Sequence, residues 1–327
     1  MTPDRVTVAG RDYSVREHRR VHRRDYWLLE QLSVEPRQRF LAFDPHAGPA
    51  GSLRRLLVLP DDEGSRQQLS VLQRMAQSSD HFAKVLDFEQ QRDGWIVVLD
   101  WVAGIDLKTF LTEVRSGQRP RPGTVIAVQR MRGLAHALAK MHRKFRVVHG
   151  DLKPENLIVA NDSGRFVLID YGSAWTAERT RQRSDGDGSH PAYAAPERHL
   201  GRVADYRSDQ FSLGVLLFEL LTLRLPYADL GGKAGRPEFI EQAQAAWQPP
   251  SELSHERDAI PRLLWDGIDR VLRHCLSLTP DDRYATTADW LAAFDELCLD
   301  IQRPPQELSP LNDALTGVVS WFAKRFS

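Results

Sequence analysis

One short stretch near the middle of the chain constrains its fold more than any other feature. Residues 149–159 read HGDLKPENLIV, and residues 170–172 read DYG after the apolar run Phe166–Ile169. The apolar runs Leu157–Val159 and Phe166–Ile169 are predicted to be small strands. The charged and amide side chains between and beside them are therefore expected in loops at the centre of a folded domain.

The polar side chains of this stretch are those that phosphoryl transfer requires. That reaction needs a carboxylate to accept the hydroxyl proton, a cation on the transferring phosphate and oxygen ligands for magnesium. Asp151 is the candidate base and Lys153 the candidate cation. Asn156 and Asp170 are the candidate metal ligands, because Mg²⁺ prefers hard oxygen ligands together with substrate phosphates.

These motifs resemble the H-R-D-x-x-x-x-N loop and the D-F-G triplet of the eukaryotic-like protein kinase family. Residues 188–197 resemble the end of the family's activation segment. Asp209 is similar to the buried aspartate that anchors the catalytic loop, and Arg283 to the arginine that pairs with Glu197. Five ordered motifs at this spacing are unlike a chance match.

The resemblance covers about residues 25–299 and implies a bilobal α+β protein-kinase fold. Its antiparallel β small lobe is expected at 25–101 and its mainly α-helical large lobe at 104–299. The implied reaction is transfer of a γ-phosphoryl group from ATP, with Mg²⁺, to a Ser or Thr hydroxyl of a protein. The lysine at position 153, two residues after the base, is typical of the family's Ser/Thr members.

The ends of the chain are expected to lie outside this domain. Residues 1–24 are polar, end in a basic cluster and are interpreted as an N-terminal extension. Residues 300–327 are Pro-rich and then follow an amphipathic helical pattern. That tail helix is predicted to dock on the domain, with a partner protein or a membrane surface as the alternative.

The small lobe departs from the family pattern at its phosphate-binding loop. The three glycines of G-x-G-x-x-G are replaced by Ser33, Glu35 and Gln38. Their side chains would prevent the backbone amides from approaching a phosphate closely. The sequence predicts five strands and one helix in this lobe, between residues 25 and 100.

The lysine and glutamate that normally pair in this lobe are also missing. The lysine position falls on Leu57, or on Leu59 if the strand register slips, and the glutamate position falls on Gln68 or Gln67. A cation from a neighbouring position is one replacement, since guanidinium groups bind phosphate bidentately. The candidates for that role are Arg37, Arg39 and Arg55.

Two other functions remain open at this point. In a pseudokinase that acts as a protein-binding scaffold or regulator, Arg55 and Leu57 would fill the nucleotide pocket. In a small-molecule kinase, the H-G-D triplet would match the aminoglycoside kinase group, which lacks the 195–197 segment and the Asp209–Arg283 framework seen here. Because the four catalytic-loop side chains are all present, we favour an enzyme whose nucleotide contacts include Arg55, Leu57, Asn156 and Asp170.

One further departure concerns regulation. Gly150 stands where protein kinases often have an arginine that grips a phosphate on the activation segment. Phosphate groups at Thr176, Thr180 or Ser184 would therefore lack their usual receiver. We expect any activity to be independent of activation-segment phosphorylation.

Composition limits the partners and the location. Lys+Arg and Asp+Glu are both 44, so the formal net charge is zero, which disfavours a nucleic-acid binder. Two separated cysteines form neither a disulfide framework nor a zinc site and favour a reducing cytoplasm. No apolar run is long enough for a signal peptide or a membrane span. The expected partner is a protein substrate or a regulatory protein.

Overall fold

The computed structural model describes residues 4–8, 10–33, 37–48, 51–75, 80–92, 94–176, 190–202 and 205–302. In these residues, a lobe of antiparallel sheet is followed by a larger, mainly helical lobe. The predicted α+β fold class is confirmed. The cleft between the lobes brings the sheet over the loops that carry the central polar motifs.

Strands of the first lobe form a hairpin and a six-stranded antiparallel sheet of order β3-β4-β5-β6-β8-β7. The elements are β1 (Arg5–Val8), β2 (Arg11–Ser14), β3 (Glu17–Val21), β4 (Arg24–Ser33), β5 (Gln38–Asp44), β6 (Ser52–Leu59), α1 (Glu63–Met75), β7 (Val85–Gln91) and β8 (Gly94–Asp100).

The sheet has one strand more than the five that the sequence predicted. The additional strand, β3, lies in the segment that we assigned to the N-terminal extension, and it pairs with β4. Only Val21 of β3 is buried, so no alternation of apolar residues marks the strand. The backbone of Arg20 accepts a hydrogen bond from Gln91 of the far edge strand β7, at 2.7 Å. The sheet therefore curls towards a barrel.

The second lobe begins after β8. Its elements are β9 (Gly104–Asp106), α2 (Leu107–Arg115), α3 (Thr124–Lys140), a π-helical turn (Met141–Phe145), β10 (Val147–Val148), β11 (Leu157–Ala160), β12 (Phe166–Leu168), β13 (Trp175–Thr176), α4 (Pro196–His199), α5 (Tyr206–Thr222), α6 (Ile240–Ala245), α7 (Pro250–Leu253), α8 (Arg262–Cys275) and α9 (Thr287–Gln302). Short 3₁₀ turns lie at Pro154–Asn156, Gly231–Gly235 and Pro280–Asp282.

Helix α5 is the centre of this lobe. Every residue from Ser208 to Thr222 is buried, because the helix is apolar on all sides and other helices surround it. Helices α3 and α8 pack directly against α5, and α9 packs against both of them. Side chains at the start of α5 are therefore held rigidly beneath the loops of the cleft.

The predicted tail helix lies in residues 303–327, outside the described residues, so the three-part division of the chain stays a prediction. Among the helices that the structure describes, none combines the length and the apolar character needed to cross a membrane.

One buried ion pair joins α4 to the segment before α9, and its partners are Glu197 and Arg283. Both terminal nitrogens of Arg283 lie 2.8 Å from the carboxylate of Glu197. The two side chains are 0% and 3% exposed, and Ser208 donates a further hydrogen bond of 2.6 Å to Glu197. Burial alone would raise the pKa of Glu197, but the bonds from Arg283 and Ser208 lower it.

We predict that Arg283→Met lowers the free energy of unfolding by about 3–5 kcal/mol, because the substitution leaves the buried Glu197 carboxylate uncompensated. Urea denaturation measures this loss. As a control, Arg262→Met removes one partner of an exposed ion pair and should cost about 1 kcal/mol or less. Similar losses in both variants would contradict the importance that we assign to burial.

Candidate active site

The loop at 149–156 is held in place from below by a single carboxylate. Asp209, at the start of α5, accepts hydrogen bonds from the backbone N–H of His149 at 2.9 Å and of Gly150 at 2.8 Å. The imidazole of His142 lies 2.8 Å from the same carboxylate. Burial would raise the pKa of Asp209, but the contact with His142 and the loop N–H groups lower it. The loop is thus bonded to the buried central helix of the lobe.

Three of the predicted residues meet on this loop. Lys153 Nζ lies 2.8 Å from Asp151 Oδ2. The side-chain amide of Asn156 donates to the backbone oxygen of Asp151 at 2.8 Å and to its Oδ2 at 3.2 Å. These contacts fix the orientation of the Asp151 carboxylate, and the amide oxygen of Asn156 is left as the group that can bind a metal ion.

Contacts between aromatic rings position the DYG residues. The ring of Tyr171 is buried and lies 6.2 Å from the ring of Phe82 and 6.0 Å from that of His149. The Nε2 of His149 is 2.5 Å from the backbone oxygen of Asp170. Because Tyr171 is turned into the core, the carboxylate of its neighbour Asp170 is directed to the opposite side.

Three arginines of the small lobe contact residues 169–172 there, and one of them pairs with Asp170. Arg39, on β5, forms an ion pair of 2.6 Å with Asp170 Oδ2. Arg55, on β6, donates to the backbone oxygen of Ile169 at 3.2 Å, and Arg37 donates to that of Gly172 at 3.2 Å. Strands β5 and β6 thus place guanidinium groups against Asp170 and against the residue that precedes it.

These arginines decide the charge of the site. Burial would raise the pKa of Asp170, but the positive charges of Arg39 and Arg55 outweigh it and lower the pKa, so the carboxylate is ionised at neutral pH. Burial lowers the pKa of Arg55 to about 10 despite the nearby Asp170, which leaves the guanidinium charged at neutral pH.

A cavity of about 450 Å³ opens beside this cluster, between the two lobes. That volume is in the range of small-molecule sites. Its walls come from both lobes and from the connection between them: Leu32, Arg55, Ala83, Asp100, Trp101, Val102, Asp106, Lys108, Thr109, Glu155, Ile158 and Ile169. Residues 100–102, at the end of the last strand of the small lobe, were not among the predicted site residues.

Leu57 is placed differently from the other candidates. It is buried in the same hydrophobic cluster as Leu69 and Leu72 of α1 and does not line the cavity. Both candidate positions for the partner of the missing lysine are buried on α1, where Gln67 donates to the backbone oxygen of Ala174 at 3.3 Å. Apolar packing and neutral amides occupy the places of the usual ion pair.

The positions of the missing glycines are described only in part. Ser33 closes the end of β4 and donates to the backbone oxygen of Arg37 at 3.1 Å. Gln38 begins β5, and Glu35 lies outside the described residues.

The donor set fits a magnesium ion. The Asn156 amide oxygen and the Asp170 carboxylate are hard oxygen ligands on adjoining loops, as Mg²⁺ prefers. Asp170 Oδ1 accepts from the N–H of Gly172 at 2.9 Å and Oδ2 is paired with Arg39, so a metal ion would share this carboxylate with a guanidinium.

Comparison with known proteins gives the family. Residues 60–292, more than half of the chain, match the family model described as the protein kinase domain. The chain belongs to the protein kinase family. The resemblance that the central motifs suggested is therefore confirmed.

Relatives and solved structures agree with this assignment. Serine/threonine-protein kinase PkaA of Streptomyces coelicolor is 30% identical, and serine/threonine-protein kinase pkn3 of Myxococcus xanthus is 28% identical. Each alignment covers 72% of this chain but only 42% of the relative, so the chain spans less than half the length of these proteins. The crystal structure of the PknI kinase domain of Mycobacterium tuberculosis superposes on this chain with a TM-score of 0.56 at 21% identity. The superposition covers 83% of this chain and 95% of the PknI domain, so the two share the fold.

This kinase domain uses Gly150 for a packing reason that the sequence did not reveal. Gly150 has φ +70°, and a Cβ there would overlap the ring of Trp175. Trp175 lies on β13, and the Arg198 guanidinium is 5.7 Å from the centre of its ring. An indole thus covers the position from which the phosphate-binding arginine would extend. Thr176 is buried, and Thr180 and Ser184 lie outside the described residues.

We predict that Gly150→Ala lowers the free energy of unfolding by about 1–3 kcal/mol more than Gly117→Ala, as measured by urea denaturation. Gly117 is a matched control, because it has a similar φ of +75° but open space where a Cβ would lie. Its variant reports the backbone cost alone, about 1 kcal/mol. Equal losses would mean that Trp175 moves aside without cost.

Proposed function

We propose that this domain transfers the γ-phosphoryl group of Mg-ATP to a Ser or Thr hydroxyl of a protein. The observation that carries the proposal is the Asp151 carboxylate, which Lys153 and Asn156 hold on a loop whose Glu155 lines the cavity between the lobes. A carboxylate so oriented can accept a proton from a hydroxyl, which is the main chemical task left to the protein in this reaction.

Each polar side chain of the loop has a role in this proposal. Asp151 orients the attacking hydroxyl and accepts its proton. Lys153, already 2.8 Å from that carboxylate, balances the negative charge that grows on the transferring group. Asn156 and Asp170 would hold magnesium, which supplies electrostatic stabilisation to the phosphate oxygens when it is bound.

Arg39 and Arg55 take the place of the missing strand lysine. Arg39 contacts the Asp170 carboxylate, and Arg55, in the middle of β6, contacts the carbonyl of Ile169 just before it. Guanidinium presents several N–H donors in one plane and suits bidentate contact with phosphate. We therefore assign to Arg39 the phosphate contact nearest to Asp170, and to Arg55 a contact deeper in the cavity.

The names of the relatives support the choice of acceptor. PkaA and pkn3 are both called serine/threonine-protein kinases, and this chain shares with that family the lysine two residues after the base. The substrate of this domain is accordingly proposed to be a protein.

Protein binding without catalysis is the second candidate, and a specific observation favours it. Arg55 lies on the wall of the cavity, and Arg39 already neutralises Asp170 through a short ion pair. In a scaffold, these charges would lock the DYG segment and the cleft would not need a nucleotide. The two experiments below separate this function from phosphoryl transfer.

We predict that Asp151→Asn reduces phosphoryl transfer by about 10²–10⁴-fold, because the variant keeps the shape of the base but cannot accept a proton. Radiolabelled phosphate incorporated from ATP into dephosphorylated casein, and into the chain itself, measures the loss. Asp162→Asn, an exposed aspartate on the turn after β11, is the control and should retain activity. No incorporation by the unaltered chain, or no effect of Asp151→Asn, would contradict the assignment.

We also predict that ATP with Mg²⁺ raises the melting temperature of the unaltered chain and that Asp170→Ala removes the part that depends on Mg²⁺. Arg39→Gln should weaken stabilisation by ATP whether or not Mg²⁺ is present, since it removes a phosphate contact rather than a metal ligand. Differential scanning fluorimetry gives both values, with Arg66→Gln as an exposed control on α1. No stabilisation at millimolar ATP would favour the scaffold.

A further inference from the structure

A row of basic side chains runs along the outer face of α3, away from the cleft. Arg132, His136, Lys140 and Lys144 follow one another at intervals of four residues, and Arg143 lies beside the last of them. Residues four apart on a helix are neighbours on one face. The row extends for about 18 Å, given a rise of 1.5 Å per residue.

The row forms one wall of a cavity of about 600 Å³. His81, from the segment before β7, and Leu291, from α9, close the other sides. The volume is within the range in which proteins bind small molecules. This cavity shares no lining residue with the one between the lobes.

The shape of the cavity depends on two local features of the fold. Gly133, in the middle of α3, allows the imidazole of His81 to lie against the helix, since a Cβ there would come within 2.8 Å of His81 Cε1. At its end, α3 widens into the π-helical turn Met141–Phe145, which stops at Arg146 in the left-handed conformation with φ 56°. Such π-helical turns are rare in proteins, and those that occur often lie at functional sites.

The positive charge of this wall is only partly balanced. Asp295 of α9 accepts a hydrogen bond of 2.6 Å from Arg132 and lies 2.8 Å from His136 Nε2. Burial would raise the pKa of Asp295, but these two contacts lower it and keep the carboxylate charged. Asp295 therefore neutralises the first half of the row.

The second half of the row has no such partner. Across the described parts of the chain, Lys140, Arg143 and Lys144 form no ion pair, and none of the described residues that line the cavity is acidic. Asp80, next to His81, is paired with Lys84 and Arg165 instead. Like charges four residues apart repel each other and destabilise a helix, so an anion placed between them would be favoured.

We infer that this cavity is a binding site for a small polyanion that carries two or more phosphate groups. Lysine and arginine are the side chains that bind phosphate through charge-assisted hydrogen bonds. A single phosphate carries at most about two negative charges at neutral pH, whereas linked phosphates can balance all three unpaired cations, Lys140, Arg143 and Lys144. The site is separate from the proposed phosphoryl-transfer site and does not depend on it.

Calorimetric titration of the full chain with inorganic tripolyphosphate, without Mg²⁺ and at physiological ionic strength, tests the site. Lys140→Gln/Arg143→Gln is expected to weaken binding by about tenfold or more, because it removes two charged donors. Lys233→Gln/Arg273→Gln removes the same charge from two exposed positions elsewhere and is the matched control. Glutamine has a helix propensity close to those of lysine and arginine, so the helices should be retained.

A third variant, Arg39→Gln, separates this cavity from the cleft, where arginines could also bind a polyphosphate. It should leave the binding that depends on Lys140 and Arg143 unchanged, whatever it removes from the cleft. The inference is overturned if the unaltered chain does not bind, if the control loses as much as Lys140→Gln/Arg143→Gln, or if Arg39→Gln abolishes all binding of tripolyphosphate. Orthophosphate is expected to bind more weakly, and equal affinities would overturn the requirement for linked phosphates.

Discussion

The carboxylate of Asp209 is the interaction on which the site depends. A buried carboxylate is costly unless donors satisfy it, and here His142 and the N–H groups of His149 and Gly150 do so. Because Asp209 is fixed in a helix that is buried on all sides, those three donors are fixed as well. The carboxylate of Asp151, one residue farther along, is positioned through this loop backbone.

Charge in the cleft is redistributed rather than lost. Leu57, one of the two positions predicted for the usual lysine, joins the core beneath the sheet, and the α1 positions predicted for its partner carry neutral amides. Positive charge comes instead from Arg39 on the neighbouring strand β5 and from Arg55 on β6, two residues before Leu57. A buried, ionised Asp170 requires a nearby positive charge. Arg39 and Arg55 supply that charge in the absence of the usual lysine.

Helix α3 serves both sides of the large lobe. Its apolar face packs against α5 and α9 and supports the chain that enters the catalytic loop, while the basic row lies beside α9 at the edge of that face. The helix was predictable from its apolar spacing, because burial against a core imposes a period of 3.6 residues. The basic row is equally visible in the sequence, but only the fold places His81 and Leu291 across from it and makes a cavity.

The sequence alone determined the family and the fold class, and it predicted the candidate site residues Asp151, Lys153, Asn156 and Asp170, because these lie in short segments whose spacing reflects local geometry. It did not determine strand β3, whose single buried residue leaves no pattern, or which of three arginines pairs with Asp170. Only the tertiary structure decided these points, and the position of Trp175 over Gly150. They depend on the register between strands and on contacts between segments far apart in the chain, which the order of residues within one segment does not encode.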